Sequence, residues 1–142
     1  MSRRTRSVAV FGASMAVALS MVGTAGTAAA APVARNGVCE AGEFCLYHGH
    51  DRTGSVSDFA GSIPNYGATQ PTCYEFKGPG TGRGQCVKNN AVSAWNRTSS
   101  YKVTVYYNSN YGGNSETYYP GTWGDLVPGM QKENASQLFV RL

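Results

Sequence analysis

Beyond residue 30 the sequence shows almost no helical periodicity and no cluster of lysine or arginine, and the whole chain holds two histidines and no C-x2-C pair. Each absence excludes a class of function. His48 and His50 lie two apart in "HGHD", beside Asp51, but no other histidine exists to complete a catalytic zinc site. The same shortage removes a Ser–His or Cys–His nucleophilic pair elsewhere. "HGHD" therefore reads as a turn leaving a strand. "GPGTGRG" lacks the G-K-[ST] ending and the following helix of a phosphate loop. Without a basic cluster, nucleic acid is not an expected partner. No enzyme is expected.

The first thirty residues are of a different kind. Arg3, Arg4 and Arg6 precede an apolar run from Val8 to Val22, and small residues follow it. Gly12, Ser14 and Ser20 interrupt that run, which is shorter than the roughly twenty apolar residues a spanning helix needs. A cleaved secretory signal peptide at 1–30 is expected, with Ala28-Ala29-Ala30 as the A-x-A site and Ala31 the first mature residue. A cut one residue later would place Pro32 just after the broken bond. The formal charge of +4 is mostly a property of this leader. Three of the twelve basic residues fall there, leaving nine against eight acidic ones. One small extracellular domain at 31–142 is expected, monomeric and with no membrane contact after cleavage.

Cys39, Cys45, Cys73 and Cys86 all lie in the exported part. An even count in a small secreted chain reads as two disulfides, with three connectivities open. Pairing of sequence neighbours is the expected one, each bridge stapling a local loop. A structural zinc site is not supported by the spacing.

The apolar segments are short, rich in β-branched and aromatic residues, and separated by Gly, Asn, Ser and Pro. Strands are expected at Glu43–His48, Ala91–Arg97, Tyr101–Tyr107, Ser115–Tyr119 and Ser136–Leu142. Such close turn signals favour an all-β sandwich with Greek-key connections. A weak internal repeat supports this. At an offset of sixty, Cys45-Leu46-Tyr47 falls on Val105-Tyr106-Tyr107, and Phe59 falls on Tyr119. Gly54 matches Gly113 with a one-residue slip, and "NNAVSAW" has a counterpart in "KENASQLF". Two Greek-key repeats, about 39–97 and 98–142, are expected to bury their faces on each other.

Tyr106, Tyr111 and Gly113 fit the Y-x4-[YF]-x-G signature of βγ-crystallin Greek keys. "NNAVSA" resembles the crystallin calcium motif. Together with "GEFCLYHGHDRTG" and "DFAGSIPNYG", these stretches resemble the secreted actinobacterial peptidase-inhibitor family typified by a Streptomyces metalloproteinase inhibitor. The resemblance implies a crystallin-like β-sandwich and steric inhibition of thermolysin-like extracellular metalloproteinases. In the inhibitory type the disulfide-tied loop belongs to the second half, which here has no cysteine, so no reactive residue carries over. The rival reading is a secreted carbohydrate or cell-wall binder, antifungal-like, with polysaccharide as partner.

The candidate contacts follow from these readings. The loop "CYEFKGPGTGRGQC" offers Tyr74 and Arg83, although Gly78, Gly80, Gly82 and Gly84 make a flexible surface excursion the favoured reading. Asn108, Ser109 and Asn110 form the exposed tip after the tyrosine signature. Trp123 is the best sugar-stacking candidate. Asn89, Asn90 and Ser93 suit a calcium site, weak at most, because Ala94 deletes a hydroxyl and the partner motif starts Lys132-Glu133. No other cofactor is expected.

Overall fold

The short apolar segments become seven strands in the computed structural model, which describes residues 35–142. The expected leader at 1–30 and its cleavage point lie outside the described residues. β1 (Phe44–Tyr47), β2 (Val56–Phe59), β3 (Ser93–Asn96) and β6 (Trp123–Asp125) form one antiparallel sheet in the order β2-β1-β3-β6. β4 (Tyr101–Asn108), β5 (Gly112–Tyr118) and β7 (Ser136–Arg141) form the second, in the order β5-β4-β7. The all-β sandwich is as expected. β2 and β6 are additions to the expected strands, both too short to show a clear alternation.

The sheets are not built from one half each. β6 follows β5 in the chain but pairs with β3, matching Trp95 to Trp123 and Ser93 to Asp125. Conversely, Ile63 leaves β2 and bridges Gln137 of β7 through reciprocal N–H···O bonds of 2.9 and 3.0 Å. Each half therefore lends a segment to the other's sheet. Phe44, Leu46 and Phe59 from one sheet meet Val103, Val105 and Tyr118 from the other in a shared core, closed by Tyr66, Phe76, Leu126 and Met130. The Tyr66 hydroxyl, fully buried, donates to Gln137 Oε1 at 2.9 Å, which satisfies the polar end of a large apolar ring.

Both hairpins fold back over their own sheets at matching corners. Asp51 and Arg52 have φ of 51° and 61°, followed by Gly54 at 73°. Asn110 and Tyr111 repeat this at 59° and 62°, followed by Gly113 at 77°. A serine from the neighbouring strand pins each corner. Ser93 Oγ accepts from Arg52 N–H at 3.0 Å and donates to Gly49 C=O at 2.7 Å. Ser136 Oγ accepts from Tyr111 N–H at 3.1 Å and donates to Asn108 C=O at 2.7 Å.

These corners correct the repeat register. Tyr47 pairs with Ser93 as Tyr106 pairs with Ser136, so Tyr47 matches Tyr106, not Tyr107. The same register matches buried Leu46 to buried Val105, and Phe59 to Tyr118 rather than Tyr119. The sequence offset of sixty put core residues on outward ones, because a slip of one residue exchanges the faces of a strand.

Gly113→Ala places a Cβ at 2.8 Å from Asn108 Nδ2 on a backbone of positive φ. A loss of about 1–2 kcal/mol is expected in urea unfolding. Gly121→Ala, with similar φ but nothing within 4 Å, is expected to lose less.

Candidate functional site

The disulfides join Cys39 to Cys45 and Cys73 to Cys86, the sequence-neighbour pairing. The second closes the loop that was expected to be flexible, and the contacts of that loop overturn the expectation. Phe76 at its centre is fully buried in the core. Lys77 and Gly78 N–H groups donate to Val56 C=O at 3.0 Å, and Ser55 N–H donates to Thr81 C=O at 2.9 Å. Across the loop, Phe76 N–H bonds Gln85 C=O and Val87 N–H bonds Tyr74 C=O. The glycines permit close packing here. A Cβ on Gly82 would meet the His48 ring at 2.2 Å, and one on Gly78 would meet Val56 Cγ1 at 2.6 Å. The loop lies along the edge of β2 and covers its unpaired backbone.

Tyr74 and Arg83 have different fates within this loop. Tyr74 is half-buried against the core, and Arg35 Cζ lies 5.1 Å from its ring centre. Arg35 also bonds Ser57 Oγ, and its other guanidinium nitrogen donates to Glu75 C=O at 2.9 Å. Burial draws the Arg35 pKa below the ordinary arginine range, against the opposing pull of Asp58. Arg83 is exposed and lines an open cleft of about 320 Å³ with Arg35, Asn36, Glu75, Lys77 and others. Glu75 and Lys77, both in its lining, pair at 3.3 Å.

The tyrosine signature is a packed corner. Tyr106 and Tyr111 rings meet edge-on at 6.0 Å between centres. Its tip is held as well. Asn110 N–H donates to Pro64 C=O at 2.7 Å, and Lys88 Nζ donates to Ser109 Oγ at 3.1 Å. Asn108 and Asn110 side chains remain exposed.

Among the calcium candidates, the Ser93 oxygen is engaged by the protein, and Asn89 and Asn90 bond through their nitrogens. Ser93 Oγ spends its proton on Gly49 and accepts from Arg52. The Asn90 amide nitrogen donates to Cys86 and Lys88 carbonyls at 2.8 and 3.2 Å. Asn89 takes φ of 59°, and its N–H donates to Asn134 C=O, as a turn residue. No carboxylate belongs to this donor set, which offers only neutral oxygens.

Trp123 is 47% exposed on β6 and belongs to a stack that sequence reasoning missed. Arg52 Cζ lies 3.8 Å from the Trp123 ring centre and 4.6 Å from that of Trp95. Arg97 Cζ lies 4.6 Å from Trp95 as well. The order along the face is Arg97, Trp95, Arg52, Trp123. Arg52 Nε is buried there without a hydrogen-bond partner. At the end of the stack, Asp125 accepts from Asp51 N–H at 2.8 Å and contacts His50 Nδ1 at 2.7 Å. The sequence signal for Arg52 was its place in the first corner, where Tyr111 stands in the second.

The exchanged strands and paired corners define a βγ-crystallin-like protein. Solved structures agree on the fold. A chain from work on the evolution of the eye-lens βγ-crystallin domain is 12% identical at a TM-score of 0.53, covering 81% of this chain and 95% of its own. The N-terminal domain of Protein S is 15% identical at 0.51, covering 70% and 97%. Residues 33–118 match peptidase inhibitor family I36, and the chain belongs to that family. No curated protein matches it.

The Asp125 carboxylate is held below its ordinary range, first by Asp51 N–H and then by His50. With the folded pKa below the unfolded one, its stabilising contribution is present above the unfolded value and lost as pH falls through the folded one. Asp125→Asn is therefore expected to lower Tm at pH 6. The two proteins should converge as the pH is taken below the Asp125 pKa, which thermal melts across an acid series would read.

Proposed function

We propose that the chain is a secreted inhibitor of thermolysin-like metalloproteinases, acting by steric blocking of the active-site cleft. The observation that carries this reading is the Cys73–Cys86 loop, in a chain of a peptidase-inhibitor family. A loop already fixed by its disulfide and by bonds to β2 loses little freedom on docking, and such preorganisation favours affinity. Pro79, Gly80, Thr81, Arg83, Gly84 and Gln85 are exposed on it. Blocking suits the backbone better than substrate mimicry. Gly82 and Gly84 have φ of 92° and 83° on either side of Arg83, which breaks the extended path a bound substrate takes. Two disulfides support an oxidising, extracellular setting. The Ser93 hydroxyl, already committed to Gly49 and Arg52, supports an inhibitor that works without calcium.

Residual thermolysin activity against increasing protein tests the reading. Inhibition at micromolar concentration is expected, and Arg83→Ala should weaken it without changing the melting curve. No inhibition at that concentration would sink the proposal. The double change Cys73→Ser, Cys86→Ser is expected to remove about 2–4 kcal/mol of stability and to weaken inhibition further. Calcium against EDTA should shift Tm by less than about 1 °C, since a ligand stabilises only in proportion to its occupancy.

A further inference from the structure

The second half of the molecule shows which side chains the first half does not need for folding. Through the two strand registers, Trp95 corresponds to Leu138 and Arg97 to Val140. The matching corners place Arg52 opposite Tyr111. The exchanged segments place Trp123 opposite Ser62, because Gly124 faces Ala94 as Ile63 faces Gln137. The second half therefore keeps the same corner, strand pairing and borrowed segment with tyrosine, leucine, valine and serine. An arginine held between two tryptophans, with a second arginine beyond, is not a demand of the architecture.

What this stack leaves open is chemically specific. Arg52 covers one side of the Trp123 indole at 3.8 Å, yet 47% of Trp123 remains exposed. No further cation or ring stacks on Trp123 among the described residues. Arg52 is held by the two indoles, and its side-chain N–H groups meet no protein acceptor among the described residues. Arg97 spends one nitrogen on Cys39 C=O at 2.6 Å. Asp125, on the same strand as Trp123, is already bonded to His50 and Asp51 and does not neutralise the arginines by contact. The face thus combines one open indole with two guanidinium groups fixed in place by stacking.

We propose that Trp123, Arg52, Trp95 and Arg97 form a binding site for a glycan that carries acidic groups. The weakly polar C–H face of a sugar ring lies on Trp123, and the arginine N–H groups take carboxylate or phosphate oxygens of the chain. A neutral sugar would use the indole and leave the guanidinium groups idle. An acidic peptide would use the arginines and leave the indole idle. An acidic sugar satisfies both, since guanidinium matches carboxylate and phosphate oxygens and an aromatic face matches an apolar ring face. Stacking on the tryptophans also holds the arginine side chains, which reduces the freedom they lose on binding. This site shares no residue with the Cys73–Cys86 loop and does not rest on the inhibitory reading.

Affinity electrophoresis of the purified protein tests it, in gels containing polygalacturonate, a phosphorylated mannan, or neutral hydroxyethyl cellulose. Retardation by at least one acidic polymer is expected, with little or none in the neutral gel, and it should weaken as salt is raised. Trp123→Ala and Arg97→Ala should each weaken it about three- to tenfold. Val140→Ala, at the matching place in the other half, should change nothing. Circular dichroism of each variant checks that the sheet is intact, and thermolysin inhibition is expected to be unchanged in Trp123→Ala. Absence of retardation by both acidic polymers would overturn the proposal, as would equal retardation of wild type and Trp123→Ala. Retention by the neutral gel alone would also overturn it. If no glycan binds and Trp123→Ala instead abolishes inhibition, the face is a peptidase-docking surface and the glycan assignment fails.

Discussion

Two serine hydroxyls, Ser93 and Ser136, each join a backbone carbonyl on one side of a hairpin corner to an N–H on the other. The corner residues sit at positive φ, a costly conformation for Asp51, Arg52, Asn110 and Tyr111 unless something fixes it. Each serine supplies that fixation from the strand next to the hairpin, so the corner forms only when the sheet has formed. The coupling is mutual. With the hairpin folded over, the chain leaving β2 is directed to Ile63 and the other sheet, and the chain leaving β5 is directed to β6. The exchange of these segments then commits the two sheets to one core.

Legibility followed the range of the interactions. Tyr106, Tyr111 and Gly113 were readable because a corner of eight residues writes its whole geometry into local spacing. The equivalent first corner was harder, since Arg52 stands where the second corner has Tyr111 and the repeat was laid out one residue off. The exchange could not be read at all. β6 has three residues and its pairing with β3 is set by a partner far away in the chain, so neither propensity nor alternation marks it. Glycine misled most clearly in the Cys73–Cys86 loop. Four glycines suggested looseness, but Gly78 and Gly82 are there because backbone passes against Val56 and His48 where no Cβ fits. Composition reports that glycine is tolerated; only the fold reports whether freedom or closeness is the reason.

The candidate site was legible in part. Trp123 was named for its own chemistry, whereas Arg52, Trp95 and Arg97 acquire meaning only when three separate segments meet. Tyr74 shows the opposite failure. Its position beside Cys73 suggested an outward contact, but the ring packs on the core and holds Arg35. Buried polar groups were hidden for a similar reason. Asn96 and Asn134 are fully buried, and each bridges backbone groups from distant segments, which no local pattern announces.

A duplicated fold divides the work between its halves unequally. Both halves retain the corner serine, the positive-φ residues and the buried strand faces, because losing any of these disturbs the shared core. Outward positions carry no such burden, and there the halves diverge. Both disulfides, the clamped loop and the arginine–tryptophan stack are centred on the first half, which also holds most of the matched family region. The second half offers serines and threonines on its outer face, with Thr104 and Thr117 bonded to each other at 2.7 Å. The fold-holding features are therefore encoded twice, and these exposed first-half features once. Residues that break the internal repeat at exposed positions are accordingly the informative ones for function, and residues that keep it are the informative ones for fold.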